Sequence, residues 1–421
     1  AELEELSRKR LLALTGEEME IIAAHFASLG RNPTEVELEA LAQTWSEHCK
    51  HKIFNDNIEF EGEVIQSLFK TYIAGSTARC KRDWLVSIFS DNAGVIEWNE
   101  RYHLVFKVET HNAPSALEPY GGALTGIVGV NRDPAGTGLG ADLIFNTDVF
   151  CFAPLNWDGP IPEGLHSPRR LYEGVRQGVE DGGNQSGIPT VNGALFFDPR
   201  YLGRPLVFCG TGALMERQTR GQPTHLKSIN PGDLVVMAGG RVGKDGIHGA
   251  TFSSLAIGGG EAPVGVGQIG DPMTQKRLLE MLGEARQQGL YRAVTDNGAG
   301  GLCSSVGELA QMSGGAHLDL EQVPLKYPGL AAWEILVSES QERMTLAVDP
   351  AHWPALQELA RQRDVEVSAV GVFSDDGFFS ASFHGQSVMS LGMEFLHAGL
   401  PKRTLPAHWT PPTPGPARPS N

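Results

Sequence analysis

The chain has 421 residues, 41% of them hydrophobic, and a formal net charge of -16; at roughly 150 residues per domain this predicts two or three domains with a sizeable core. The acidic balance argues against a nucleic-acid backbone binder, and no apolar run reaches the ~18–20 residues of a membrane span. Five scattered cysteines, none in a CxxC pair, argue against a disulfide framework or a zinc ribbon and predict a reducing, cytoplasmic setting.

Ala1-Glu2-Leu3-Glu4-Glu5 is acidic and polar and does not read as a signal peptide. Thr15-Gly16-Glu17-Glu18 and Thr34-Glu35-Val36-Glu37 have the Thr-x-x-Glu form that opens helices, so two helices are expected in the first fifty residues. Leu38, Leu41, Ala42 and Trp45 recur at i, i+3, i+4, i+7, and His48 and Cys49 extend that stripe. Strands are expected at Leu104–Val108, Leu143–Phe152 and Leu206–Cys209, and a helix opening at Ser167-Pro168. The aperiodic polar stretch Arg217–Lys227 predicts a boundary near residue 220. Beyond it, strands are expected at Asp233–Ala238, Ala293–Asp296, Arg343–Val348 and Val365–Val372. Helices are expected from Asp271-Pro272, after Gly298–Gly301 and around Trp353–Arg361. The last 21 residues hold seven prolines and read as a stiff, extended linker with more chain to follow. The expected partition is a helical segment at 1–55, an α/β domain at 56–220, a second at 221–400, and a tail at 401–421. No fixed-period repeat is present. The 51 glycines are in excess and clustered, without a G-X-Y period, which predicts tight turns or ligand-cradling loops.

The segment Leu104-Val105-Phe106-Lys107-Val108-Glu109-Thr110-His111-Asn112 carries the most chemistry. Alternation places Leu104, Phe106 and Val108 on one face and Lys107, Glu109 and His111 on the other. A cation, an anion and an imidazole in a row do not suit an apolar core. They form either a solvated face with a Lys–Glu pair or a site where Lys107 meets phosphate, Glu109 holds a hard cation and His111 moves a proton. Arg132-Asp133 follows the run Gly121-Gly122-Ala123-Leu124-Thr125-Gly126; it is either a surface pair or, beside a glycine loop, a phosphate clamp with a metal carboxylate. Asp296-Asn297-Gly298-Ala299-Gly300-Gly301 places an acid at a strand end before a glycine turn, either an ordinary helix entry or an anion and metal site. Ser338-Glu339-Ser340-Gln341-Glu342 is dense in hydrogen-bonding groups, or else a plain polar turn. His48, Cys49 and His51 lack the partner pair a zinc site needs. Gly265-Val266-Gly267-Gln268-Ile269-Gly270 fits GxGxxG but follows no strand, so it is no dinucleotide fingerprint. No Walker A sequence and no nucleophile elbow are present.

Taken in order, Trp45-Ser46-Glu47-His48-Cys49, Lys107 through Ser115, Arg132-Asp133, Lys244 through Phe252, Gln268 through Pro272, Asp296-Asn297-Gly298 and Ser338 through Arg343 resemble the phosphoribosylformylglycinamidine synthase family. The resemblance runs from about Thr15 to Ala407. It implies an α/β (α+β) fold like that of aminoimidazole ribonucleotide synthetase. An A domain, whose sheet pairs with a second A domain, is followed by a B domain, with helices before them. It implies ATP-dependent conversion of formylglycinamide ribonucleotide to the amidine through an iminophosphate, with magnesium, and with ammonia drawn from glutamine. It implies Lys107 and His51 at ATP, Glu109, Asp133 and Asp296 at magnesium, His111 as proton acceptor and His48 as the other active-site histidine. Thr110, His111, Asn112, Arg132, Gln268, Glu339, Ser340 and Gln341 match substrate positions. His51 replaces a tyrosine common in short relatives, and Ala113 a histidine. Only the first A and B domains are matched, so the resemblance implies two partners: a second synthetase half, and a glutaminase domain or subunit. The alternatives are a homodimeric ATP-binding relative and a non-catalytic nucleotide-binding scaffold.

Overall fold

A threonine followed three residues later by a glutamate lets a helix satisfy its first N–H groups with its own side chains. Thr15 Oγ1 accepts from the Glu18 N–H at 3.3 Å and the Thr15 N–H donates to Glu18 at 2.9 Å, opening the helix Gly16–Ser28. Thr34 and Glu37 repeat this and open Glu35–Thr44. A helix not expected from the sequence, Glu2–Lys9, precedes both; at eight residues it is too short to show a period.

The computed structural model describes residues 2–249 and 270–411. The chain divides into two compact units, Ala1–Cys49 with Asp83–Leu400, and Lys50–Arg82 with Pro401–Asn421. Among the described residues no helix is long and apolar enough to cross a membrane.

The larger unit holds two main sheets. The seven-stranded sheet has the order Ala293–Asp296, Arg343–Val348, Leu234–Gly239, Val367–Ser374, Gly315–Asp319, Phe378–Phe383, Gln386–Gly392. Its pairs are antiparallel except Gly315–Asp319 with Phe378–Phe383. Both faces are covered over the strands Leu234–Gly239, Ala293–Asp296 and Arg343–Val348. Val235 and Met237 join a core with Leu41, Trp45, Leu302 and Val306 from the helices on one side. Val236 and Ala238 join another with Leu278 and Met281 of the helix Pro272–Gln288 and Leu356 of Trp353–Gln362. A strand packed on both faces reads as a continuous apolar run, which is why Leu234–Ala238 was legible. Trp45 is fully buried and donates its indole N–H to Leu396 O at 2.9 Å.

The six-stranded sheet has the order Leu85–Ser87, Gly94–Glu97, Tyr102–Thr110, Leu206–Glu216, Asp142–Phe152, Thr190–Phe197. The last pair is parallel and is joined through the helix Pro168–Ser186. This helix and Pro119–Ala135 form one core with the inner face of the sheet, through Leu124, Ile127, Val175 and Val207. Gly174, Gly178 and Gly182 line the contact between the two helices. A Cβ on Gly178 would lie 2.3 Å from Tyr120 O, and one on Gly182 2.4 Å from Ile127 Cγ2. Glycine here sets the closeness of two helices. The run Gly121–Gly126, expected as a loop, is helical. Gly122 has Pro114 backbone against it, 2.4 Å from where a Cβ would be.

The smaller unit contains a three-stranded sheet in the order Thr404–Ala407, Asn57–Phe60, Glu63–Ile65, the first pair parallel. Asp56 accepts from the Arg403 N–H at 3.0 Å and from its Nε at 2.8 Å, fixing the register. The proline-rich end is therefore not only linker. Pro406 lies opposite Glu59 on an edge strand, where a missing N–H is tolerated.

Candidate functional site

Period-two alternation makes the two faces of Tyr102–Thr110 different. His103 and Val105 are buried, while Phe106 and Val108 are 42% and 40% exposed. The apolar face thus looks outward, and Lys107 and Glu109 point toward the helix Pro119–Ala135. This corrects the solvated-face reading. Lys107 Nζ lies 3.1 Å from Asp133 Oδ1 and 3.4 Å from Glu109 Oε1, and donates to Asn92 O at 3.0 Å. His111 Nε2 lies 3.6 Å from Glu109 Oε2. Gly126 makes room for that imidazole, since a Cβ there would sit 3.2 Å from its ring.

Arg132 and Asp133, on the last turns of the helix, are buried and diverge. They are not a surface pair. Asp133 turns to Lys107, whereas Arg132 Nε lies 3.7 Å from Asp296 Oδ2 at the end of the strand Ala293–Asp296. Asn92 joins the two groups. Its carbonyl takes the lysine, and its side chain donates to Asp296 Oδ1 at 2.9 Å and Thr295 Oγ1 at 3.1 Å.

Charge is concentrated here. Burial works against the ammonium of Lys107, but Asp133, Glu109 and Asp296 hold it above its ordinary pKa. Burial also works against ionised Glu109, yet His111 and Lys107 keep it well below the carboxylate range. Asp133 goes the other way, raised by burial and by the nearby charges of Glu109 and Asp296. Like-charged carboxylates that share a site push protons onto one another, and a hard cation relieves that. Among the described residues no three His, Cys, Asp or Glu side chains converge into a ready metal cage. Magnesium rarely uses one; it binds through one or two carboxylates, water and substrate phosphates. The oxygen donors of Glu109, Asp133 and Asp296 fit that demand.

The turn Ser338–Glu342 is buried throughout, not a plain surface turn. Gly300 N–H donates to Glu339 Oε1 at 3.2 Å, and Gly243 N–H to Ser340 Oγ at 3.0 Å. Arg343, fully buried, donates through Nε to Ser340 O at 2.8 Å and through a terminal nitrogen to Ser338 O. Burial pushes its guanidinium down to about 10. Gly301, at φ 54, would place a Cβ 2.0 Å from Ser338 O, so only glycine fits this approach of the Asp296 turn. Glu342 is buried with its carboxyl pushed up to about 7, and it adopts a left-handed φ of 58.

The structure thus brings together Lys107, Glu109, His111, Arg132, Asp133 and Asp296, and ties Glu339 to the turn after Asp296 and Ser340 to Gly243. Thr110 is exposed at the strand end, and Asn112 Oδ1 accepts from the Val207 N–H at 2.8 Å. Gln341 is buried in its turn. His48 is exposed on the short helix Glu47–Lys50. His51 belongs to the smaller unit, and Gln268, the GxGxxG run around it and Gly258–Gly260 lie outside the described residues. Sequence reasoning missed Asn92, whose turn carries no motif. It also missed the buried set Asn131, Asn146 and Thr211 beneath Lys107. There Asn146 donates to Asn131 at 2.8 Å and to Thr211 at 2.7 Å. Asn146, at the head of the polar run Asn146-Thr147-Asp148 between apolar residues of one strand, was the available signal.

Three family models match: AIR synthase related protein, N-terminal domain, at residues 90–215; its C-terminal domain at 230–383; and the formylglycinamide ribonucleotide amidotransferase linker domain at 3–52. The chain is 35% identical over 398 residues to the phosphoribosylformylglycinamidine synthase subunit PurL of Thermoplasma acidophilum, covering 94% of this chain and 50% of that one. With the Thermotoga maritima subunit it shares 34% over 384 residues, 91% and 56% of the two chains. The structure of T. maritima PurL complexed with FGAR superposes with a TM-score of 0.72 at 30% identity, covering 95% of this chain and 58% of that one. The same protein complexed with ATP gives 0.68 at 29%, with 94% and 57% covered. The chain spans about half the length of the curated relatives it matches.

Proposed function

The chain belongs to the phosphoribosylformylglycinamidine synthase family, and from that premise we propose that it supplies the first half of the synthetase of purine biosynthesis. The reaction converts formylglycinamide ribonucleotide to the amidine, consuming ATP and ammonia. The amide oxygen of the substrate attacks the γ-phosphorus and ADP leaves, giving an iminophosphate. Ammonia adds to the imidate carbon, and expulsion of phosphate leaves the amidine. Such a transfer needs charge held in place more than covalent help. The observation that carries this reading is the inward-facing cluster in which Lys107 meets Asp133 at 3.1 Å and Glu109 at 3.4 Å.

In this reading Lys107 meets the ATP phosphates, His51 is assigned to ATP by the family resemblance alone, and His111, oriented by Glu109, accepts the proton released during amidine formation. His48 is the other active-site histidine. Thr110, His111, Asn112, Arg132, Gln268, Glu339, Ser340 and Gln341 seat the ribonucleotide. Glu109 would hold one magnesium ion, and Asp133 and Asp296 a second, neutralising phosphate charge when bound. The partition at residues 55, 220 and 400 and a cytoplasmic location belong to the same proposal.

The second half of the synthetase and a glutaminase delivering ammonia are the proposed partners. The outward face of the six-stranded sheet supports the first. Phe106, Val108 and Ile144 are exposed on it, and a face so apolar calls for a cover. The same face fits a second copy of this chain, the homodimeric reading. The test is to supply the chain with the part of a curated relative that lies beyond the matched region. ATP- and ammonia-dependent amidine formation, with one ADP released per turnover, is expected only in the mixture. No product from the mixture would sink the proposal, and turnover by the lone chain at twice its monomer mass would establish the homodimer instead.

A further inference from the structure

Cross-strand pairing places Glu109, Cys209 and Asp148 in one row on the inner face of the six-stranded sheet. With strands ~4.8 Å apart, Asp148 lies roughly 10 Å from Glu109 and outside the cluster around Lys107. Asp148 is only 6% exposed. Its Oδ2 accepts from Thr190 Oγ1 at 3.2 Å, and the buried Cys209 thiol, a weak donor, stands against the same carboxylate. A buried carboxylate held only by a hydroxyl and a thiol is costly to ionise unless something cationic meets it.

Asp148 lines a cavity of about 610 Å³ between the helix Pro168–Ser186 and the strands Asp142–Phe152 and Thr190–Phe197. Phe150, Tyr172 and Leu195 give it apolar and aromatic walls. The other charged lining residues are Arg176 and Glu180, which pair with each other one helical turn apart. The lining therefore carries one uncompensated negative charge. A second cavity, of about 580 Å³, has no such excess at its floor. There Arg286 is bonded to Asp142 at 2.6 Å, and the Tyr291 hydroxyl donates to Leu139 O at 2.7 Å. Aromatic walls around a buried anion are the chemistry that recognises an organic ammonium ion.

We propose that the cavity floored by Asp148 binds a small organic cation, a primary alkylammonium, with the Asp148 carboxylate as its counter-ion. Burial pushes this carboxyl up to about 6, and a bound cation would draw it back toward ionisation. The proposal is independent of the synthetase reading, since it uses none of the residues assigned to that reaction. The test titrates the full chain at pH 7.5 with n-butylammonium, and with n-butanol as the neutral isostere, followed by NMR shifts and calorimetry. The ammonium should bind at least about tenfold more tightly than the alcohol, and Asp148→Asn should remove that preference. Leu195→Trp, at the exposed rim, should weaken the ammonium about tenfold or more with Asp148 intact. Equal binding of the two probes, or an unchanged preference in Asp148→Asn, overturns the proposal. If Asp148→Asn fails to fold by circular dichroism, Leu195→Trp decides, and unchanged ammonium binding in it overturns the proposal equally.

Discussion

The two main sheets of the larger unit differ in how they are covered. The seven-stranded sheet has helices on both faces over part of its width, where all six residues of Arg343–Val348 are buried. The six-stranded sheet has helices on one face, and Tyr102–Thr110 alternates between buried and exposed positions. The ionisable cluster lies on the half-covered sheet. A strand with one packed face can turn Lys107, Glu109 and the following His111 to one side, beneath a helix that brings Asp133 to meet them. Strands buried on both sides carry charge only at their ends, as Arg343 and Asp296 do. The comparison teaches a division of labour: the doubly covered strands build the core, and the half-covered sheet carries charge inside and offers an apolar surface outside.

Breaking the doubly covered side should cost most. Trp45→Ala removes the largest fully buried side chain and an indole hydrogen bond. It should lower unfolding free energy by about 3–5 kcal/mol, read from urea titrations. On the half-covered sheet, Lys107→Met should leave the fold cooperative but lower amidine formation in the reconstituted synthetase by on the order of 10²–10³. His111→Ala should cost on the order of a hundredfold or more, the usual scale for a general base. Retained rates would detach the cluster from the chemistry.

A fourth test uses pH. Asp148 has its carboxyl raised by burial from 3.8 to about 6. The folded state therefore holds this proton more tightly than the unfolded chain, so stability from this group is fully present below pH ~4. It is lost as pH rises through ~6 and is flat above. Asp148→Asn should then match the parent at pH 4 and exceed it at pH 8 by about 1–3 kcal/mol. A parallel difference at both pH values would show that burial is not the cause. The smallest effect is expected outside. Phe106→Lys, on the exposed apolar face, should change the stability of the lone chain by no more than about 0.5 kcal/mol while weakening its association with the second half or a second copy. A large loss of stability would mean that this face is packed within the chain itself.

Much of the site was legible because its residues sit in contiguous segments. Lys107, Glu109 and His111 share one strand and its continuation, and Arg132-Asp133 and Ser338–Glu342 are short polar runs in apolar surroundings. Asn92 was not legible. It acts through a backbone carbonyl and a side-chain amide that reach residues 15 and 204 positions away, and no local pattern encodes such a contact. The helix from Pro119 was misread as a loop, because glycine lowers helix propensity while here it lets Gly122 and Gly126 press against the turn that carries His111.

By itself the sequence determined what depends on near neighbours along the chain. The two Thr-x-x-Glu helix starts, the strand periods and the order of the motifs are of this kind, because capping and alternation act over three or four residues. Only the tertiary structure decided which face of Tyr102–Thr110 is inside. Alternation makes the faces different and says nothing of which one a helix will cover. That choice follows from where Asp133 and Asn92 arrive, and it puts the charged face within and leaves Phe106 and Val108 outside.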